Sequence, residues 1–278
     1  MVEGGQKRIQ DLLRENGFTF SKKYGQNFLF DPQLLAAIAR DGANPGDFVL
    51  EIGAGAGALT KALAELGARV TAFEIDKRLE PVLNTVLDGT SAQVIFADAL
   101  SFCLQGVLTE PYRIVANLPY YITTPVIFKF LYDEQLLSLT VMVQKEVADR
   151  ICAKPATAAY GALSAQMQLM GTPKITRTVP RSLFTPAPQV DSAVVRLDIS
   201  PKCDRARLPR VKKVIAAAFA MRRKTLANNL CAAFALEKVQ AESAVASVTG
   251  NPSARGETLS IEQFLKLEEV LSGTACLK

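Results

Sequence analysis

Asp47-Phe48-Val49-Leu50-Glu51-Ile52-Gly53-Ala54-Gly55-Ala56-Gly57-Ala58 decides the fold. An apolar run broken only by Glu51 predicts a buried strand, and three alternating glycines predict a tight turn at its end. Ala58 to Leu66 continues as a predicted helix. A strand, a glycine turn and a helix N-terminus in that order form a nucleotide cradle in an open α/β sheet. The chain downstream repeats the alternation. Arg69 to Ile75 predicts a strand with Glu74 near its carboxyl end, about 20 residues past the glycines, where an acidic side chain takes ribose hydroxyls. Lys77 to Leu87 predicts a helix, Gln93 to Ala97 a strand ending at Asp98, and Tyr112 to Ala116 a strand ending at Asn117.

The glycine loop alone fits two ligands. Gly53, Gly55 and Ala58 satisfy a dinucleotide pattern, whereas Gly53, Gly55 and Gly57 give the spacing of methyltransferases. A purely structural turn is a third reading. The side chains at the strand ends separate them. Glu51, Glu74, Asp98 and Asn117 stand near the ends of four successive predicted strands. Such a row suits ribose hydroxyls, an adenine amine and a cationic sulfonium or amino group, and it suits a pyrophosphate poorly.

Asn117-Leu118-Pro119-Tyr120 then leaves the fourth strand through an amide, a proline and an aromatic ring. The Asn117 carbonyl and a backbone carbonyl at Leu118 or Pro119 can accept both protons of an exocyclic amine, and Tyr120 can stack on the ring that carries it. A plain turn remains the competing reading, since Asn and Pro are common turn residues. Phe184 lies in a loop stiffened by Pro186 and Pro188. It is read either as a core aromatic or as a second stacking surface opposite Tyr120. Between Phe18 and Phe30, aromatics alternate with Lys22 and Lys23. This is either a loop burying its rings or a flap whose lysines meet phosphate.

Further predicted elements follow: helices at 125–132 and 146–151, a strand at 137–143, an apolar helix at 160–170, and strands at 175–179 and 193–199. The composition shifts at Ser200-Pro201, which predicts domains at 1–200 and 201–278. The second has four helical periodicities and a basic front in which Arg222, Arg223 and Lys224 are adjacent. Charge this one-sided favours a nucleic-acid surface over an ordinary solvated face.

Composition narrows the chemistry. The 278 residues carry a net charge of +5 and contain no His, which excludes His-based acid–base catalysis and His metal sites. The five cysteines, Cys103, Cys152, Cys203, Cys231 and Cys276, form no C-x-x-C pair, so no zinc site and no disulfide frame is expected. The start lacks an apolar leader and no run is long enough to cross a bilayer, so a cytoplasmic protein is expected.

Five stretches together resemble the ribosomal RNA adenine dimethyltransferase family. They are Gly25-Gln26-Asn27-Phe28-Leu29, Glu51 to Thr60, Asn117 to Tyr120, the pattern Phe184-x-Pro186-x-Pro188-x-Val190-Asp191-Ser192, and Ala218 to Leu230. The resemblance implies a Rossmann-like seven-stranded methyltransferase sheet with a small all-α C-terminal domain. It also implies the cofactor S-adenosyl-L-methionine, lined by Gln26, Asn27, Leu29, Glu51, Gly53, Gly55, Gly57, Glu74, Asp98 and Asn117. Glu74 would take the ribose, Asp98 the adenine, and Asn117 would sit between the methionine end and the target base. The implied substrate is 16S rRNA in the small ribosomal subunit, where two adjacent adenosines of a hairpin loop each gain two methyl groups. Action as a monomer is expected. The alternatives are a sister enzyme acting on large-subunit rRNA, a non-catalytic assembly factor on the same fold and, more distantly, a nicotinamide oxidoreductase.

Overall fold

The computed structural model describes residues 3–103 and 107–273; Cys276 lies outside them. The chain divides into two compact units, with crossings at Ala148/Asp149, Pro173/Lys174 and Ile199/Ser200. The break expected at residue 200 is therefore one of three. The chain leaves the first unit, contributes Asp149–Pro173 to the second, returns, and leaves again. No shift of charge marks the first excursion, so composition reveals only the last.

The first unit contains α1 (Glu3–Glu15), β1 (Phe28–Leu29), α2 (Pro32–Gly42), β2 (Phe48–Ile52), α3 (Ala58–Glu65), β3 (Arg69–Glu74), α4 (Glu80–Val86), β4 (Gln93–Phe96), β5 (Tyr112–Asn117), α5 (Thr123–Phe130) and β6 (Leu136–Gln144). Helix α6 (Lys145–Ile151) follows β6, and β7 (Lys174–Val179), β8 (Phe184–Thr185) and β9 (Ser192–Asp198) complete the unit. Seven strands form one sheet in the order β4-β3-β2-β5-β6-β9-β7. Neighbours from β4 to β6 are parallel, and β9 is antiparallel to both β6 and β7. Val49, Leu50, Ile114, Val115, Val141 and Val143 are fully buried, as a sheet covered on both faces requires.

This order places the site. From β2 the chain builds outward to β3 and β4, then returns to the other side of β2 for β5 and β6. The strand order reverses between β2 and β5, and the carboxyl ends of these strands flank a crevice. Their sequences end at Glu51-Ile52 and Asn117.

In the stretch before α2, Phe28 and Phe30 are buried, Phe18 is half-buried and Phe20 is exposed, so the reading as a loop burying its rings holds only in part. Phe18 stacks on Phe28 at 6.0 Å between centroids, and Phe20 meets Phe28 edge-on at 5.4 Å. A second sheet, not foreseen from the sequence, pairs β1 with β8 and sets Leu29 opposite Phe184. Helix α2 starts where Asp31 accepts from the N–H groups of Gln33 and Leu34, with Pro32 in the first turn.

The second unit holds α7 (Ala162–Met170), α8 (Leu208–Ala218), α9 (Leu226–Phe234), α10 (Lys238–Thr249) and α11 (Ile261–Ser272). Val211, Val214, Ile215, Leu226, Leu230, Phe264 and Leu267 form its core. A capping box between Ser260 and Gln263 starts α11. Among the described residues no helix is long and apolar enough to cross a membrane.

Candidate active site

The crevice holds a cavity of about 250 Å³, lined by residues 24–30, 51–56, 73–75, 97–100 and 117–122 among others. Its walls include every residue expected at the cofactor except Gly57. Gly57 instead takes a left-handed φ of +81° at the N-cap of α3, beneath the loop. Gly53 and Gly55 also have positive φ, and a Cβ on Gly55 would come within 3.1 Å of the Phe28 ring. The Phe28 ring of the N-terminal stretch thus packs close against the loop, at a position whose positive φ favours glycine.

Two buried carboxyls line the cavity and behave differently. Glu74 accepts the Gly55 N–H at Oε2 and the Asp76 N–H at Oε1, both at 2.8 Å. It therefore holds the glycine loop as well as facing the cavity. Burial raises its pKa, and its backbone bonds offset part of that. Glu51 is 1% exposed and its Oε2 has no hydrogen-bond partner. Burial pushes this carboxyl up to about 8, with the Glu74 carboxylate adding to the effect. Thr60 Oγ1 offsets some of it, yet is itself buried with no bond of normal geometry. A buried acceptor without a donor in the protein fits a cationic ligand.

Asp98 is exposed at the cavity mouth, and its Oδ1 accepts the Leu100 N–H at 2.9 Å. Gln26 spends both ends of its amide: Oε1 accepts the Ser21 N–H, and Nε2 donates to Asp76 Oδ2 at 2.8 Å. These bonds latch the N-terminal stretch onto the end of β3. The Arg78 side chain doubly bonds the same Asp76, which is 3% exposed. Asn27 donates to Gly25 O, and Leu29 is buried at the base of the latch.

The loop after β5 narrows an alternative that the sequence leaves open. Asn117 Nδ2 donates to Asn27 O at 3.3 Å, which fixes the amide and leaves Oδ1 as its acceptor. Pro119 O already accepts from the Ile122 N–H and the Thr123 hydroxyl. Leu118 O takes neither of these bonds. The Tyr120 hydroxyl bonds Ser192 Oγ at 2.8 Å, so the ring is held at its far end, and burial raises the phenol pKa.

Comparison with known proteins identifies this arrangement. The sequence model described as Ribosomal RNA adenine dimethylase matches residues 17–272. The chain belongs to that family. Within the family, it is 43% identical to the Ribosomal RNA small subunit methyltransferase A of Alkaliphilus oremlandii, over 93% of this chain and 94% of that protein. It is 42% identical to the protein of the same name from Shouchella clausii, over 96% and 95%. Among solved structures, a dimethyladenosine transferase from Plasmodium falciparum superposes with a TM-score of 0.74 at 26% identity, covering 90% of this chain and 98% of that one. The 23S rRNA methyltransferase ErmE gives 0.69 at 30% identity, covering 88% and 100%.

Other expected positions of this family member fall outside the cavity. Phe184 is 4% exposed within the core, where its pairing opposite Leu29 turns it from solvent. It is not among the residues lining the cavity, which fits the reading as a core aromatic. Lys23 is exposed with its ammonium 5.4 Å from the Tyr24 centroid, and the Lys22 side chain lies outside the described ones. In the helical unit Arg222, Arg223 and Lys224 are exposed. Tyr24, Ile75 and Tyr121 line the cavity and were missed. Ile75 is 42% and Tyr121 57% exposed; an apolar residue directly after the acidic strand end and a second Tyr after Tyr120 were the available signals.

Proposed function

We propose that the protein uses S-adenosylmethionine to dimethylate the exocyclic N6 of two adjacent adenosines in the hairpin loop near the 3′ end of 16S rRNA. The cofactor fits the cavity on a structural ground: the buried Glu51 Oε2 lacks a donor, and an α-ammonium supplies one. Glu74 would bind the ribose hydroxyls through the lone pairs that its backbone bonds leave free, and Asp98 the adenine amine. Bound there, the cofactor supplies a methyl group on a cationic sulfur. The rest of the chemistry belongs to the chain.

An adenine amine is a poor nucleophile because its lone pair is delocalised into the ring. Asn117 Oδ1 and Leu118 O would accept its two hydrogens, favour a pyramidal nitrogen and aim the lone pair outward. The same acceptors stabilise the positive charge that grows on nitrogen as the methyl arrives. A flipped base loses its stacking, and the Tyr120 ring would replace it, worth about 1–3 kcal/mol. Proton loss from the product needs no strong base, consistent with a chain that has no His. Arg222, Arg223 and Lys224 would meet RNA phosphates.

The observation that carries this reading is the fixed amide of Asn117, whose nitrogen is spent on Asn27 O and whose oxygen is not. The test is transfer of labelled methyl groups to unmethylated small subunits, with modified positions mapped by primer extension. Two adjacent modified adenosines near the 3′ end are expected. Modification of large-subunit rRNA alone would overturn the substrate, and no transfer to either particle would overturn the activity.

A further inference from the structure

Lys129 sits in the last turn of α5, and all three of its ammonium hydrogens are committed. Nζ donates to Ala99 O at 2.7 Å, Leu100 O at 2.8 Å and Phe102 O at 3.0 Å. These carbonyls belong to the loop that follows β4 and carries Asp98. The loop is wound tightly around that residue: Asp98 O accepts the N–H groups of Ser101 and Phe102, and Oδ1 accepts that of Leu100. Winding it this way turns three carbonyl dipoles toward one point. A compact cation with several donors satisfies all three there, and an ammonium fits where a planar guanidinium fits less well.

Ala97, Asp98, Ala99 and Leu100 all line the cavity. Helix α5 begins one short turn after the Asn117–Tyr120 loop. One side chain thus ties the wall of the cavity at β4 to the helix that continues from the base-accepting loop. We propose that Lys129 is a positioning residue: it sets the Asp98 loop in the shape that receives the adenine of the cofactor. This rests on the reading of the cavity as an S-adenosylmethionine site.

The experiment uses the full chain and the variants Lys129→Met, Lys129→Gln and Asp98→Ala. Calorimetry measures affinity for S-adenosylhomocysteine and for adenosine alone, thermal unfolding checks the fold, and steady-state methyl transfer separates KM for the cofactor from kcat. Lys129→Met should weaken both ligands by about tenfold, the size expected for lost charge-assisted hydrogen bonds. KM for the cofactor should rise in step while kcat at saturation stays close to wild type. Lys129→Gln, which keeps a donor, should fall between, and it carries the test by itself if Lys129→Met does not fold. In an Asp98→Ala background the effect of Lys129→Met should shrink, because both act through one loop.

If Asp98→Ala weakens adenosine binding and the Lys129 variants do not, the inference falls and the cavity reading stands. It also falls if the Lys129 variants lower kcat and leave KM unchanged. Adenosine affinity untouched by Asp98→Ala overturns the assignment of this loop to the adenine, and the inference with it.

Discussion

The cavity of the sheet unit and the basic front of the helical unit each mix polar groups that are spent with groups that are not. In the cavity, Gln26 has both ends bonded within the protein, while Asn117 keeps its oxygen and Glu51 keeps Oε2. In the helical unit, Arg207 and Arg210 both bond Glu268, which is 1% exposed in α11. Arg222, Arg223 and Lys224 are exposed in the turn before α9. Residues that look alike in sequence thus divide into those that build the fold and those with bonding capacity left for a ligand. Buried polar groups are almost always paired, so an unpaired one that lines the cavity, as Glu51 does, points to a ligand.

The largest effect should come from the loop after β5. Asn117→Ala removes the acceptor proposed for the transferring amine, and such losses cost on the order of 10²–10³ in rate. Single-turnover transfer to unmethylated small subunits measures it, with circular dichroism confirming the fold. Near wild-type rates would make the loop a turn and nothing more. Tyr120→Ala should also slow transfer, and Tyr120→Phe less, since the ring does the stacking. The bond to Ser192 makes the Phe variant measurably impaired all the same.

Glu74→Ala should come next. A lost charge-assisted bond to the ribose costs about 1.5–3 kcal/mol. Glu74 also holds the Gly55 N–H, so the variant should lose thermal stability as well as affinity for S-adenosylhomocysteine. Calorimetry and thermal unfolding on one sample separate the two roles. Affinity unchanged in a folded protein would remove Glu74 from the cofactor site.

The two kinds of arginine give a smaller and sharper contrast. Reversing Arg222 and Arg223 to Glu should weaken binding to ribosomal particles and lower the salt slope by about one per lost phosphate contact. Thermal stability and cofactor affinity should not move. Arg207→Ala should do the opposite, lowering stability because it strips a partner from buried Glu268. Equal effects on particle binding would mean that the exposed residues are only a solvated face.

How much of this was legible in the sequence follows from how local each signal is. Strand β2, its glycine turn and α3 are contiguous, and their expected bounds match the structure to within a residue or so. Asp31 and Pro32 announce α2 by their own chemistry. By contrast, β1 and β8 are two residues each, paired across most of the chain, and no periodicity can show in two residues. That pairing sets Leu29 opposite Phe184, so the choice between the two readings of Phe184 was out of reach as well. The Glu268 partners were hidden for the same reason: burial of a charge depends on an element far away in sequence. The glycine loop could be placed, but the carboxylate that tethers it could not, since Glu74 reads equally well as a ligand for ribose.

The smallest effect tests the contrast between the two buried carboxyls. Burial, with the Glu74 carboxylate adding to it, pushes the Glu51 carboxyl up to about 8 in the protein without ligand, so at about pH 6.5 it carries a proton. The α-amino group of the ligand is also protonated at about pH 6.5. If the ammonium of the cofactor meets Glu51, the pair holds one proton fewer than its separate partners, and binding releases about one proton. Affinity should then rise as pH rises toward 8, by less than about tenfold per unit. Calorimetry of S-adenosylhomocysteine in two buffers of different ionisation enthalpy measures the release. Glu51→Gln has no proton to give up and should show none, with a flatter pH dependence over the same range. Adenosine lacks the amino group and should release no proton even with the wild type, which assigns the proton to the methionine end of the cavity. Equal release from wild type and Glu51→Gln would mean that the buried oxygen faces something other than the ammonium, and that its missing partner is not the cofactor.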